Sequence, residues 1–240
     1  MVVTRKASKP KLVLFDFDGT LVDSMRVANF LLWKELKNDS KTKISFKAFQ
    51  QRIHEAIQSI WSPENTLSGG ILLFLHKLYL IARKLELGVT ASFKLIVKTL
   101  ILTFKAYNPQ NIFPEVTLAI SRLKGAKFLV GIFTMAPKRF VQLTFGGRLK
   151  SFDVVITRND LKNPKPNPDG IILALNQFGV DPDNCFVVGD LPFDIIAAHK
   201  AKVVSLGVTT GFVPRTVLEK FQPRGIFNNL EEVTEYIINL

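Results

Sequence analysis

Residues 11–24 read Lys11-Leu12-Val13-Leu14-Phe15-Asp16-Phe17-Asp18-Gly19-Thr20-Leu21-Val22-Asp23-Ser24. The run through Phe15 is apolar after its first residue, the pattern of a strand buried on both faces. It ends abruptly in Asp16-Phe17-Asp18-Gly19-Thr20. A charged cluster at the end of a buried strand is where open α/β sheets place their ligand chemistry. Asp16 and Asp18 stand at i and i+2, and on an extended segment such residues face the same way. The pair suits a magnesium site, or a nucleophile with its general acid, or simply a solvated loop with two acids. Gly19 permits the sharp exit from the strand.

Beyond Pro114 the same rhythm recurs. A helix over 115–124 leads to a strand at Lys127–Phe133 ending at Thr134, and a helix over 138–146 leads to Asp153–Ile156. A helix over 168–178 leads to Cys185–Val188, ending at Gly189-Asp190, and one over 192–201 leads to Val203–Leu206. Strands separated by single helices predict parallel pairing with right-handed crossovers. The expected fold is therefore α/β, a doubly wound parallel sheet. From Met25 to Ile112 the texture is different, with helix-like segments at 25–38, 45–60, 69–87 and 91–107 and breaks at Pro63 and Gly69-Gly70. This reads as a helical insertion at 25–112 in a core made of 1–24 and 113–240.

Three further clusters follow predicted strands, whose carboxyl ends share one crevice in such a sheet. A hydroxyl at Thr134, with free N–H groups beyond it, suits phosphate oxygens, or is an ordinary turn residue. In Lys165-Pro166-Asn167-Pro168-Asp169 a lysine precedes a proline-opened helix and can place a fixed charge on an anion. Lys162 competes for that part, and solvation is the plain alternative. In Gly189-Asp190-Leu191-Pro192-Phe193-Asp194 the acids at i and i+4 can share a metal shell or serve as caps.

The order Asp-x-Asp-Gly-Thr, Thr, Lys-Pro-x-Pro-Asp, Gly-Asp-x-x-x-Asp resembles the haloacid dehalogenase superfamily. Leu14 to Ser24 and Val187 to Ala198 are especially similar to its phosphoglycolate-phosphatase-like branch. The resemblance covers about 11–24 and 125–212 and hardly touches the insertion. It implies a Rossmann-like core with a helical cap over the site. It implies Asp16 as nucleophile and magnesium ligand, and Asp18 as general acid and base that offers its backbone carbonyl to the metal. Thr134 and Lys165 would hold the phosphoryl group, and Asp190 and Asp194 would complete the Mg2+ site. Dehalogenase members lack the acid at the position of Asp18, so its presence favours phosphoryl transfer. Met135 departs from the small polar residue that relatives often carry after the second motif, and Leu191 from a serine after the fourth.

The expected activity is thus hydrolysis of small phosphate monoesters, with a small phosphorylated metabolite as the partner. Alternatives are a phosphoglucomutase-like phosphotransferase, a phosphonatase using a cap lysine, or a basic protein binding nucleic acid or membrane on this scaffold. The last is motivated by a net charge of +12. Intact acids at every motif argue against it, and no nucleic-acid partner is expected. Hydrophobic residues at 47% and 20 Phe place the chain among folded proteins rather than disordered ones. The lone Cys185 excludes an intrachain disulfide and a CxxC zinc site and suits a reducing cytoplasm. The basic N-terminus has too short an apolar run after it for a signal peptide. The apolar stretches 71–82 and 93–107 fall short of the ~20 residues a membrane span needs and carry lysines, so they read as soluble helices. Lys77, Arg83, Lys84, Lys94 and Lys98 are candidates to meet an anionic leaving group, or are solvated helix charges. His54 and His76 lack metal-ligand spacing, His199 reads as a surface residue, and Trp33, Trp61 and Cys185 read as core.

Overall fold

Six strands lie side by side in the order β3-β2-β1-β4-β5-β6, every neighbouring pair parallel. They are β1 (Lys11–Phe15), β2 (Phe128–Phe133), β3 (Val154–Ile156), β4 (Cys185–Gly189), β5 (Val204–Val208) and β6 (Gly225–Phe227). The computed structural model describes residues 9–39, 45–60, 76, 79–80, 96–98, 101–102 and 104–240. The helices are α1 (Ser24–Asp39), α2 (Phe46–Ile60), α3 (Val116–Gly125), α4 (Lys138–Phe145), α5 (Asp169–Phe178), α6 (Pro192–Lys200), α7 (Arg215–Glu219) and α8 (Leu230–Ile238). The expected doubly wound parallel sheet is present.

Alternation along β1 builds both faces of the core. Val13 and Phe15 pack with Val116, Ile120 and Leu123 of α3 and with Leu230, Val233 and Ile237 of α8. Leu12 and Leu14 pack on the other face with Ile171, Ala174 and Leu175 of α5 and Ala197 and Ala198 of α6. Local chemistry sets the helix ends. The side chain of Asn167 accepts from the Asp169 N–H at the start of α5, and Gly179, at φ 61°, ends it. Pro192 opens α6 with Asp194 in its first turn.

Several boundaries move by a residue or two. β2 starts at Phe128, because Lys127 at φ 65° closes the preceding turn rather than extending the strand. α4 stops at Phe145, where Gly146 at φ 51° leads into a 3₁₀ turn over Gly146–Ser151. The sequence reading did not foresee α7, β6 or α8.

From the insertion, α1 and α2 are helical as expected. Residues 76, 79–80, 96–98, 101–102 and 104–106, from the two remaining segments, are also helical. Trp61, Lys77, Arg83, Lys84 and Lys94 lie outside the described residues. Phe49, Ile53, Ala56 and Ile57 form one face of α2, at i, i+4, i+7 and i+8. That face is buried against Phe193 and Ile196 of α6 and Val217 and Leu218 of α7. At about 1.5–3 kcal/mol for each large side chain buried, this contact fastens α2 to the core. The side-chain amide of Gln58 adds a hydrogen bond to Thr216 Oγ1 at 2.9 Å. Among the described residues no helix is long and apolar enough to cross a membrane.

Candidate active site

The order of the sheet changes direction at β1, so the carboxyl ends of β1 and β4 adjoin at the crevice where such folds bind ligands. Their pairing runs one residue past β1: the Asp16 N–H donates to the Val188 carbonyl at 2.8 Å. This sets Asp16 beside Gly189-Asp190. Lys165 arrives from the loop before α5, and its ammonium donates to Asp16 Oδ1 at 2.7 Å and to Asp194 Oδ1 at 2.6 Å. The three side chains are buried, and the Lys165 ammonium lies 4.5 Å from the centroid of the Phe133 ring. Lys162, the competing lysine, is exposed.

Asp194 serves as a cap, as one of its two sequence readings has it. Its Oδ1 meets Lys165, while its Oδ2 accepts from the Leu191 N–H at 3.0 Å and so caps α6. A Cβ on Gly189 would lie 2.2 Å from the Asp194 carboxylate, so glycine makes this close approach possible.

Asp190 sits in a cradle of the same kind. A Cβ on Gly19 would fall 2.4 Å from its Oδ2 and one on Gly211 only 1.9 Å away. Gly19 also holds φ 74°, a conformation that other residues rarely adopt. Oδ2 of Asp190 accepts from the Phe212 N–H at 3.2 Å, whereas its buried Oδ1 has no partner. Carboxylate oxygens of Asp16, Asp190 and Asp194 lie within 4.8 Å of one another. Burial raises Asp16 most, Lys165 pulls against it, and Asp194 and Asp18 add to the rise, leaving the carboxyl at about 7. Burial, then the charges of Asp16 and Asp194, hold Asp190 well above its ordinary value. For Lys165, burial alone would lower the ammonium, but Asp16 and Asp194 outweigh it and raise it. Three buried acids with clustered carboxylate oxygens, one of which has no partner, fit a hard divalent cation that takes oxygen ligands.

The Asp18 carboxylate stands outside this trio. Its Oδ1 accepts from Ser24 Oγ at 2.6 Å and its Oδ2 from the Tyr107 hydroxyl at 3.3 Å. Burial raises its pKa, and the bonds from Ser24 and Tyr107 oppose the rise. Burial, followed by the charge of Asp18, raises the Tyr107 phenol. Thr134 is buried, its N–H bonded to the Ile156 carbonyl at 2.9 Å, and its Oγ1 accepts from the Ala136 N–H at 2.9 Å. All the motif residues singled out in the sequence are therefore buried or partly buried at this one end of the sheet.

Other residues at the site had no role in the sequence reading. Ser24 was part of the quoted motif run but nothing marked its hydroxyl. Tyr107 ended a helix-like segment, and nothing marked its hydroxyl either. Thr210, whose hydroxyl donates to the Gly19 carbonyl at 2.6 Å, lay past the last motif. Met135 and Leu191 are half-buried and pack against the cluster that joins α2 to α6 and α7. His54, His76 and His199 are exposed, His199 sharing a 3.0 Å contact with Ser205 Oγ. Cys185 is a buried free thiol.

A family model described as hydrolase, haloacid dehalogenase-like hydrolase, matches residues 10–202. The chain is 27% identical over 238 residues to a phosphoglycolate phosphatase of Colwellia psychrerythraea, covering 95% of this chain and 97% of that protein. A phosphoglycolate phosphatase of Escherichia coli strain K12 is 32% identical over 124 residues, 51% of this chain and 49% of its own length. A crystal structure titled a predicted phosphoglycolate phosphatase, from Haemophilus somnus 129pt, superposes with a TM-score of 0.66 at 20% identity, over 96% of this chain and 99% of that one. At that identity the likeness is one of fold.

Proposed function

The chain belongs to the haloacid dehalogenase-like hydrolase family, and from that premise we propose that it is a phosphatase that hydrolyses small phosphate monoesters of the phosphoglycolate kind through a phosphorylated Asp16. The observation that carries this reading is the buried set in which Lys165 bridges Asp16 and Asp194 while Asp190 keeps a free oxygen. The phosphoglycolate phosphatases to which the chain is similar favour that substrate class.

Phosphate monoesters are among the slowest uncatalysed hydrolyses, with enzymatic accelerations of up to ~10²¹. A carboxylate nucleophile divides the reaction into two easier displacements. An Asp16 oxygen attacks phosphorus, and the ester P–O bond breaks as Asp18 gives its proton to the departing oxygen. Asp18, now a carboxylate, takes a proton from the water that attacks the phosphorylated Asp16, which returns the free carboxylate and inorganic phosphate. Lys165 offsets the charge of the phosphoryl group, as it offsets that of Asp16 and Asp194. The Thr134 oxygen already accepts from Ala136, which leaves its hydrogen to donate to a phosphoryl oxygen. Asp16, Asp190 and Asp194, with the backbone carbonyl of Asp18, would hold Mg2+. When bound, the ion supplies positive charge that offsets the crowded carboxylates and the phosphoryl oxygens.

Residues 25–112 are proposed as the cap. The chain leaves and re-enters the core at adjacent points: the Asp23 N–H donates to the Asn111 carbonyl at 2.7 Å, and Val22 and Ile112 form an antiparallel bridge. A domain joined by two such neighbouring segments can exclude water and read the leaving group.

Release of inorganic phosphate from a panel of monoesters, in Mg2+ and then in chelator, tests this beside Asp16→Asn. Activity should require the metal, and Asp16→Asn should lose at least about 10⁴-fold. Wild-type turnover by Asp16→Asn would remove the nucleophile from the scheme. No turnover of any ester by folded, metal-loaded protein would remove the phosphatase.

A further inference from the structure

Tyr107 lies outside every motif, on the segment by which the chain returns from the insertion, yet its hydroxyl reaches Asp18 Oδ2 at 3.3 Å. Three rings surround its own: Phe140 at 4.8 Å between centroids, Phe17 at 5.7 Å and Phe104 at 6.4 Å. We propose that Tyr107 is a positioning residue for Asp18, its phenol fixing the carboxyl in one orientation through both halves of the reaction. The inference rests on the reading of Asp18 as acid and base given above.

Asp18 must be a carboxylic acid when the ester oxygen departs and a carboxylate when water attacks. A partner suited to both states has to hold Oδ2 without taking its proton, and a phenol donating to one lone pair of that oxygen leaves the other position for the proton that moves. The Ser24 bond to Oδ1, at 2.6 Å, is the shorter of the two, and the Tyr107 bond to Oδ2 is the longer. Oδ2 is therefore the less firmly held oxygen, the one better suited to carry the moving proton. With the rings fixing the phenol, the carboxyl keeps a partner on each oxygen and has no reason to turn away between half-reactions. A residue that served only as packing would need no hydroxyl there, and phenylalanine would fill the same space.

The test is Tyr107→Phe, which keeps the ring contacts and removes the oxygen. The readout is kcat/KM, which covers the steps through departure of the leaving group, across phosphate esters of graded leaving-group acidity. Alkyl phosphates, which need a proton most, should lose about tenfold, and p-nitrophenyl phosphate less than about twofold. Phenyl phosphate should fall between them, and its loss should vanish when Tyr107→Phe is made in an Asp18→Asn background. Thermal midpoints of the variants, measured alongside, separate this from unfolding. An equal loss for every ester, a loss that persists without Asp18, or no loss at all would overturn the inference. If Asp18→Asn alone kept the wild-type dependence on leaving group, the acid–base reading of Asp18 would fall first and this inference with it.

Discussion

The carboxyl edge of the sheet and the returning chain at Tyr107 both supply the site, by opposite means. At the edge, backbone does the placing. Asp16 is held by the β1–β4 ladder, and Asp190 and Asp194 come close because Gly19, Gly189 and Gly211 carry no Cβ. At the return, a single long side chain carries its hydroxyl to Asp18, and neighbouring rings hold it there. Backbone placement tolerates almost no change, whereas side-chain placement can be varied by degrees. Variants and conditions that act on one region and spare the other test this contrast.

Between the two regions, the largest difference is expected from Gly211→Ala. Its Cβ would stand 1.9 Å from Asp190 Oδ2, with no flexible tail to yield. Asp190 must move, and a displacement of about 1 Å at such a site costs on the order of 10²-fold in rate. Magnesium affinity, read by calorimetry, should fall with the rate while the fold survives. Gly125→Ala is the control, since a Cβ there meets nothing within 4 Å. Wild-type rates from Gly211→Ala would mean that the cradle does not fix Asp190.

This difference in placement explains what the sequence disclosed. Asp16, Asp190 and Asp194 were legible because strand ends and glycines announce themselves as an apolar run, an acid and a break. Lys165 was legible only as one of two candidates, until burial separated it from Lys162. Ser24 and Tyr107 were not, because a hydroxyl reaching across from another element leaves no periodic or turn signal. The last strand escaped for a different reason. β6 is three half-buried residues, Gly225–Phe227, too few to show a period. The insertion read correctly as helical over α1 and α2, but nothing in it marked α2 as the helix that packs on α6 and α7.

A middle-sized effect concerns the buried acids alone. Asp16 stands at about 7 in the folded chain against an ordinary 3.8. The folded state therefore binds this proton more tightly than the unfolded one, and its contribution to stability is present below 3.8 and lost as pH rises towards about 7. Asp190, raised in the same direction, adds to the loss. His54 and His199, exposed at the surface but desolvated enough by their neighbours to lie below 6.5, slope the other way near the top of that window. They do so equally with and without metal, so the difference between media removes them. The gain in thermal midpoint from Mg2+ over chelator should widen from pH 4 to pH 7, by on the order of 5 °C. A gain that stays flat over that range would mean the trio does not hold the ion.

The smallest effect belongs to Met135, which stands at the edge but packs under α2. It follows Thr134 just past β2, where the family resemblance implies a small polar residue, yet it packs half-buried on the cluster that holds α2 to the core. An asparagine there would bring an amide towards phosphate and take an apolar contact from that cluster. If the methionine serves as anchor, Met135→Asn should lower stability by about 1 kcal/mol in urea titration. Phosphate release should then stay within about threefold, because the backbone N–H at this position is unchanged and the contacts proposed for Thr134 and Lys165 with the phosphoryl group are untouched. A tenfold gain in rate at no cost in stability would reverse the assignment. The position would then belong to the edge, where a polar side chain on phosphate counts for more than packing under α2.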